Sequence, residues 1–139
     1  MEALSLHLDT HVAVWLFAED KVRLKPVWKH LSSHPLRVAP MVVLELQFLH
    51  EIGRLKVQAD EIMARLTSRF GVGMASAPSE EVMPFALSLS WTRDLFDRLI
   101  VAQALAERAL LLTKDRTLQK NYPGAGWTTL PTKTSLPKR

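Results

Sequence analysis

The chain has 139 residues, 47% of them hydrophobic and 23% charged, which suits one soluble globular domain with a core of its own. It contains no cysteine, which excludes a disulfide framework, a thiolate metal site and a thiol nucleophile. The net charge of +4 hints at nucleic acid, but Lys133, Lys138 and Arg139 in the last nine residues supply three of those four charges.

Leu4 to Asp9 alternates with period two and reads as a strand. Thr10 is positioned to cap a short helix over His11 to Ala18. A second helix is expected over Val22 to His34, with Pro26 tolerated near its start, and Pro35 ends it. Leu36 to Ala39 is a short strand stopped by Pro40. Met41 to Arg54 has a helical period that turns Val43, Leu44, Phe48 and Ile52 toward a core, with Gly53 at its end. Gln58 to Phe70 is an amphipathic helix on Ile62, Met63, Leu66 and Phe70, and Val72 to Ala75 a weak strand. Ser79 followed by Glu80 and Glu81 starts a helix to Leu89. Asp94 to Arg108 is a helix, Ala109 to Thr113 a strand, Asp115 to Lys120 a short helix, and Trp127 to Leu130 a last strand. Residues 1–130 form the domain and 131–139 a basic, disordered tail. Strands alternating with helices predict a three-layer α/β/α, Rossmann-like domain with a mainly parallel sheet of about five strands. No apolar run is long enough to span a membrane and no signal peptide is visible, and with the lack of cysteine, which fits a reducing cytosol, a cytoplasmic protein is the expectation.

Chemistry concentrates in the acids. Asp9 ends the first strand and Asp115 follows the strand that ends at Thr113, so both fall on the rim where parallel sheets gather ligands. Glu45 lies in the most apolar helix, with Met41, Val42, Phe48 and Leu49 at the positions where a basic partner would sit. A place near a helix start explains it equally well. Asp94 and Asp97 sit three apart at a helix start, where capping is the simpler account, and Asp94 can pair with Arg98. Carboxylates converging on one rim repel one another unless a cation joins them, and hard oxygen donors suit Mg²⁺ or Mn²⁺. That chemistry fits phosphodiester hydrolysis better than redox or acyl transfer.

Other motifs are missing. No P-loop and no nucleophile elbow occurs, and Gly71-Val72-Gly73 lacks the third glycine of a dinucleotide fingerprint. His30 and His34 lie at a surface helix end. His7, His11 and His50 are scattered and read as packing residues, and Trp15, Trp28, Trp91 and Trp127 as core or interface residues rather than stacking platforms.

Four segments together resemble the PIN domain, specifically the VapC-like toxins of prokaryotic toxin–antitoxin modules: Leu6 to Leu16, Val43 to Leu46, Asp94 to Ala104 and Leu111 to Asp115. The resemblance runs from about Leu4 to Leu130. It implies an Mg²⁺- or Mn²⁺-dependent endoribonuclease in which Asp9, Glu45 and Asp97 form the acidic triad and Asp115 is the fourth acid. Thr10, Thr113 and Asp94 become supporting residues, and Arg98, Lys114 and Arg116 candidate phosphate contacts. An RNA substrate, a cognate antitoxin and a homodimer follow from the same resemblance. A non-catalytic RNA- or protein-binding module and a DNA-directed nuclease stay open as alternatives. The receiver reading fails because Thr10 and His11, not acids, follow Asp9 and Ser76-Ala77-Pro78 follows Ala75, and the covalent-phosphatase reading fails because His11 stands where Asp-x-Asp needs its second acid.

Overall fold

A computed structural model describes residues 4–132 and residue 136. Five short strands, β1 (Leu6–Leu8), β2 (Leu36–Val38), β3 (Gly73–Met74), β4 (Leu110–Leu112) and β5 (Ala125–Gly126), form one sheet in the order β3-β2-β1-β4-β5. Every pairing is parallel. β1 is central, and the chain builds outward from it first through β2 and β3, then through β4 and β5. That reversal opens a crevice at the carboxyl ends of β1 and β4, where open α/β sheets take ligands.

Among the described residues eight α-helices surround the sheet: α1 (Thr10–Phe17), α2 (Lys21–Leu24), α3 (Trp28–Leu31), α4 (Pro40–Glu51), α5 (Ala59–Phe70), α6 (Ser79–Ser88), α7 (Leu95–Glu107) and α8 (Arg116–Asn121). All residues of β1 and β4 are buried, as strands covered on both faces must be. His7 in β1 is fully buried, with Nε2 3.6 Å from Glu107 Oε1, and Glu107 is fixed by Gln103 Nε2 and the Ala77 amide.

Local chemistry sets most boundaries. Gly71 ends α5 in the left-handed region, φ +68°, as a helix stop that favours glycine. Asp94 caps α7 by accepting from the Asp97 amide at 3.1 Å. α1 is capped by Asp9, whose Oδ1 accepts from the Thr10 amide at 2.9 Å; Thr10, expected as the cap, is instead the first helical residue.

Three other expectations are corrected. The helix expected over Val22 to His34 breaks into α2, a 3-10 turn (Lys25–Val27) and α3, because Pro26 lacks an amide hydrogen to continue an α-helix. In α4 the core takes Val42 and Leu46, while Leu44, Phe48 and Ile52 are 56%, 43% and 50% exposed. That helix is apolar nearly all round, so its period could not single out the buried face. The last strand is Ala125–Gly126, and residues 127–129 bend away. Gly126 permits that bend, since a Cβ there would stand 2.2 Å from the Thr129 carbonyl oxygen.

Leu136 is buried and packs against Gly124, beside the buried Tyr122. Lys133, Lys138 and Arg139, on which the expectation of a disordered basic tail rested, lie outside the described residues.

Candidate active site

Asp9, Glu45, Asp97 and Asp115 come from four segments and line one open cleft of about 310 Å³ at the carboxyl edge of the sheet. Thr10, His11, Val14 and Trp15 of α1 share the lining, with Leu49 of α4 and Arg54 and Leu55 just beyond it. A larger groove, about 470 Å³, lies elsewhere among Leu16, Leu24, Trp28 and Phe70. It is almost wholly apolar; a third depression, about 530 Å³, is lined by His50, Lys56, Asp60 and Glu61, but of the three the acidic cleft is the one that gathers carboxylates from four distant segments at the sheet edge.

The Asp9 carboxylate is held by helix and strand together. Oδ1 caps α1, and Oδ2 accepts from Thr113 Oγ1 at 2.7 Å. Thr113 Oγ1 in turn accepts from the Asp115 amide at 3.0 Å, tying the two strand ends. Thr10 Oγ1 donates to Glu45 Oε1, which fastens the start of α1 to α4. Both threonines thus orient acids, as carboxylate ligands need. Asp115 caps α8 through the Thr117 and Leu118 amides, at 2.8 and 3.2 Å from Oδ1.

His11 does more than pack. Its Nε2 accepts from the Lys114 amide at 3.0 Å, so in the neutral ring the proton sits on Nδ1, 3.5 Å from Asp9 Oδ2. Burial holds His11 below its ordinary pKa despite the Asp9 and Asp115 carboxylates nearby.

The acids perturb one another. Burial, and then the charges of Asp94, Asp9, Asp115 and Glu45, push Asp97 up to about 7. Burial also raises Glu45, aided by Asp9 and Asp94 and opposed by the Thr10 hydroxyl. Such a constellation is unfavourable while every acid is ionised and favours a cation. Among the described residues no three acid or histidine side chains close into a metal cage. The open arrangement suits an ion such as Mg²⁺, which keeps several waters and takes few carboxylates directly.

The basic candidates are placed differently from expectation. Arg98 forms no pair with Asp94. Its Nε donates to the Ala86 carbonyl at 2.7 Å, and its other nitrogens reach the Thr92 and Leu87 carbonyls at 3.3 Å. The guanidinium ties α7 to the end of α6 and the loop that follows, because carbonyls in the last turn of α6 and at Thr92 compete with the Asp94 carboxylate for its N–H groups. Lys114 and Arg116 are exposed and outside the cleft lining. Arg54 and Trp15, both in the lining, carried no signal in the sequence. Arg54 lies nine residues beyond Glu45, and the sequence reads Trp15 as a core or interface residue rather than a stacking platform, whereas it lines the cleft.

Asp94 caps α7 and does not line the cleft. Asp94→Asn is therefore expected to be nearly neutral, and Asp94→Ala to cost about 0.5–2 kcal/mol, read from urea midpoints. Cleavage loss in a folded Asp94→Asn protein would place this residue in the chemistry instead.

The comparisons agree with this architecture. The sequence profile of the PIN domain matches residues 6–123. Ribonuclease VapC22 of Mycobacterium tuberculosis is 32% identical over 121 residues, 82% of this chain and 89% of that protein. VapBC2 from Rickettsia felis, solved bound to a promoter DNA fragment, superposes with a TM-score of 0.63 at 19% identity, over 88% of this chain and 96% of that one. DNA-bound VapBC from Salmonella typhimurium gives 0.62 at 12% identity, over 91% and 100%. VapBC-1 from nontypeable Haemophilus influenzae gives 0.60 at 18% identity, over 84% and 91%. The solved structures carry the fold, and the profile together with the curated relative carries the kinship: the chain belongs to the PIN-domain family.

Proposed function

We propose that this protein is a metal-dependent endoribonuclease, the toxin of a toxin–antitoxin pair, acting in the cytoplasm. The observation that carries the reading is the convergence of Asp9, Glu45, Asp97 and Asp115 on one cleft, with Asp97 pushed to about 7 by burial and its neighbours. The ribonuclease named among the relatives supports the activity. Asp9, Glu45 and Asp97 would hold Mg²⁺ or Mn²⁺, with Asp115 as the fourth acid. Such a cation supplies charge neutralisation at a phosphodiester and at its leaving oxygen.

The chain's own groups prepare the site. Thr113 and the α1 amide fix both oxygens of Asp9, and Thr10 aims Glu45. The neutral His11 turns an N–H toward Asp9 without adding charge. Val14, Leu49 and Leu55 give the cleft apolar walls, which strengthen electrostatics inside it.

Among the described residues no helix is long and apolar enough to cross a membrane. The partners proposed are an RNA substrate, a cognate antitoxin and a second copy of this chain. The exposed stripe of Leu44, Phe48 and Ile52 continues into Phe96, 5.5 Å from Phe48 between ring centres, and Leu95. A patch of that kind marks an interface.

Millimolar Mn²⁺ or Mg²⁺ is expected to raise the melting temperature and to switch on RNA cleavage, since a ligand of the native state stabilises by mass action. EDTA should reverse both, and Asp9→Asn should blunt the shift. Equal melting with EDTA and with metal, or RNA binding and no cleavage in any metal, would leave a binding module. Cleavage of DNA in preference to RNA would reassign the substrate.

A further inference from the structure

The acids account for the floor of the cleft but not for its walls. Four lining residues, Thr10, His11, Val14 and Trp15, share one face of α1 at helical spacing. Glu45 and Leu49 share a face of α4, and the turn beyond that helix adds Arg54 and Leu55. Moving along α1 from the Thr10–Glu45 contact, the lining changes from carboxylates to a partly exposed indole. Trp15 lies about 7.5 Å along the helix axis from Thr10, five residues at about 1.5 Å each.

Trp15 stands in an aromatic and cationic setting. The His11 ring is 5.0 Å away and tilted, Trp127 meets it edge-on at 5.9 Å, and the Arg23 guanidinium lies 5.5 Å from its ring centre. Arg23 is held there by Asp20 at 2.6 Å. An indole flanked by an edge-on ring and an arginine is the kind of surface on which an unpaired base stacks, because every base offers a π face.

Arg54 supplies the matching charge. Among the described residues it is the one lysine or arginine lining the cleft, and it forms no ion pair within 4.0 Å with any described acid. Its backbone is fixed: Gly53 turns through φ +83°, and the Arg54 and Leu55 amides both donate to the Leu49 carbonyl, at 2.8 and 3.2 Å. His50 Nδ1 closes the same turn at 2.9 Å from the Leu55 carbonyl oxygen. An arginine on a rigid turn beside four carboxylates, yet bonded to none, is free for a phosphate, which it can grip bidentately.

We propose that Trp15 and Arg54 form a nucleotide subsite next to the acids, Trp15 stacking on an unpaired ribonucleotide base and Arg54 holding its phosphate. The subsite rests on the ribonuclease reading and refines it with named contacts: the indole needs an uncovered base face, which a base inside a duplex, stacked on both sides, does not offer.

The test measures binding of a fluorescein-labelled, mixed-sequence oligoribonucleotide by anisotropy in Mg²⁺ in the cold, beside the blunt duplex of the same sequence. Wild-type protein should prefer the single strand. Trp15→Leu should weaken single-strand binding about tenfold or more and erase the preference, whereas Trp15→Phe keeps most of both. Arg54→Gln should weaken binding and lower the slope of log affinity against log salt by about one, and Arg54→Lys should restore the slope. An abasic residue walked through the probe should, at one position, cost as much with wild type as Trp15→Leu does, and cost nothing further in that variant. The wild-type walk and the Arg54 arm do not depend on Trp15→Leu folding. Unchanged binding by folded variants, or equal loss on single strand and duplex with Trp15→Leu, overturns the subsite while RNA cleavage by the wild type leaves the nuclease reading standing. Wild-type protein that neither binds nor cuts RNA overturns both.

Discussion

Asp9→Asn is expected to cut RNA cleavage at least about a hundredfold while the domain stays folded. The loss follows from removing a charged donor at the centre of the acids, where several kcal/mol of transition-state stabilisation are at stake and each ~1.4 kcal/mol is a factor of ten. The survival of the fold follows from the other duty of Asp9. Asparagine caps a helix about as well as aspartate, so its Oδ1 can still accept from the Thr10 amide. Its amide can face Thr113 Oγ1, which has a lone pair to accept it. Circular dichroism melts and single-turnover cleavage in Mn²⁺ should be read on the same sample. Full activity in a folded Asp9→Asn protein would remove Asp9 from the site.

Asp97→Asn is expected to abolish cleavage and, in EDTA at pH 8, to stabilise the protein. In the folded chain the Asp97 carboxyl titrates near 7, against an ordinary value of 3.8. Between those limits the folded state binds more protons than the unfolded state, so its stability declines as pH rises through the window. The stabilisation is present in full below pH 4 and gone above pH 7. Solvent screens this half-exposed group, which limits the effect to the order of 1–2 kcal/mol. Urea midpoints of wild type and Asp97→Asn in EDTA, compared from pH 4 to pH 8, isolate it from the histidines. The two curves should diverge with the variant higher at alkaline pH; parallel curves would mean that Asp97 ionises like a surface carboxylate.

Much of the architecture was legible because polar punctuation marks where strands become helices. Asp94 and the Ser79-Glu80-Glu81 start are local signals, and the helices they bound stand within a residue or two of expectation. Asp9 and Asp115 were legible for the same reason, since a strand-end acid in a parallel sheet has a defined place. What was not legible depends on contacts distant in the chain. α4 offers apolar residues on several faces, and only the packed sheet decides that Val42 and Leu46 go inward while Leu44 does not. Trp127 and Leu130 have strand-like side chains, but the approach of Thr129 to Gly126 bends that segment away from the sheet. Arg98 loses its expected phosphate role to the Ala86, Thr92 and Leu87 carbonyls, and Arg54 arrives beside the acids with no signal in the sequence, because both placements are decided only when the chain folds.

The buried position of Leu136 constrains how the basic end of the chain can be trimmed. A variant cut after Leu130 would shed Lys133, Lys138 and Arg139, but it would also pull a plug from beside Gly124 and uncover the neighbourhood of Tyr122. Charge and anchorage would then be lost together, and weaker RNA binding by such a protein could not be assigned to electrostatics. Neutralising the three cations to glutamine with Leu136 kept in place separates the two, and is the variant in which a change in salt response reports on charge alone.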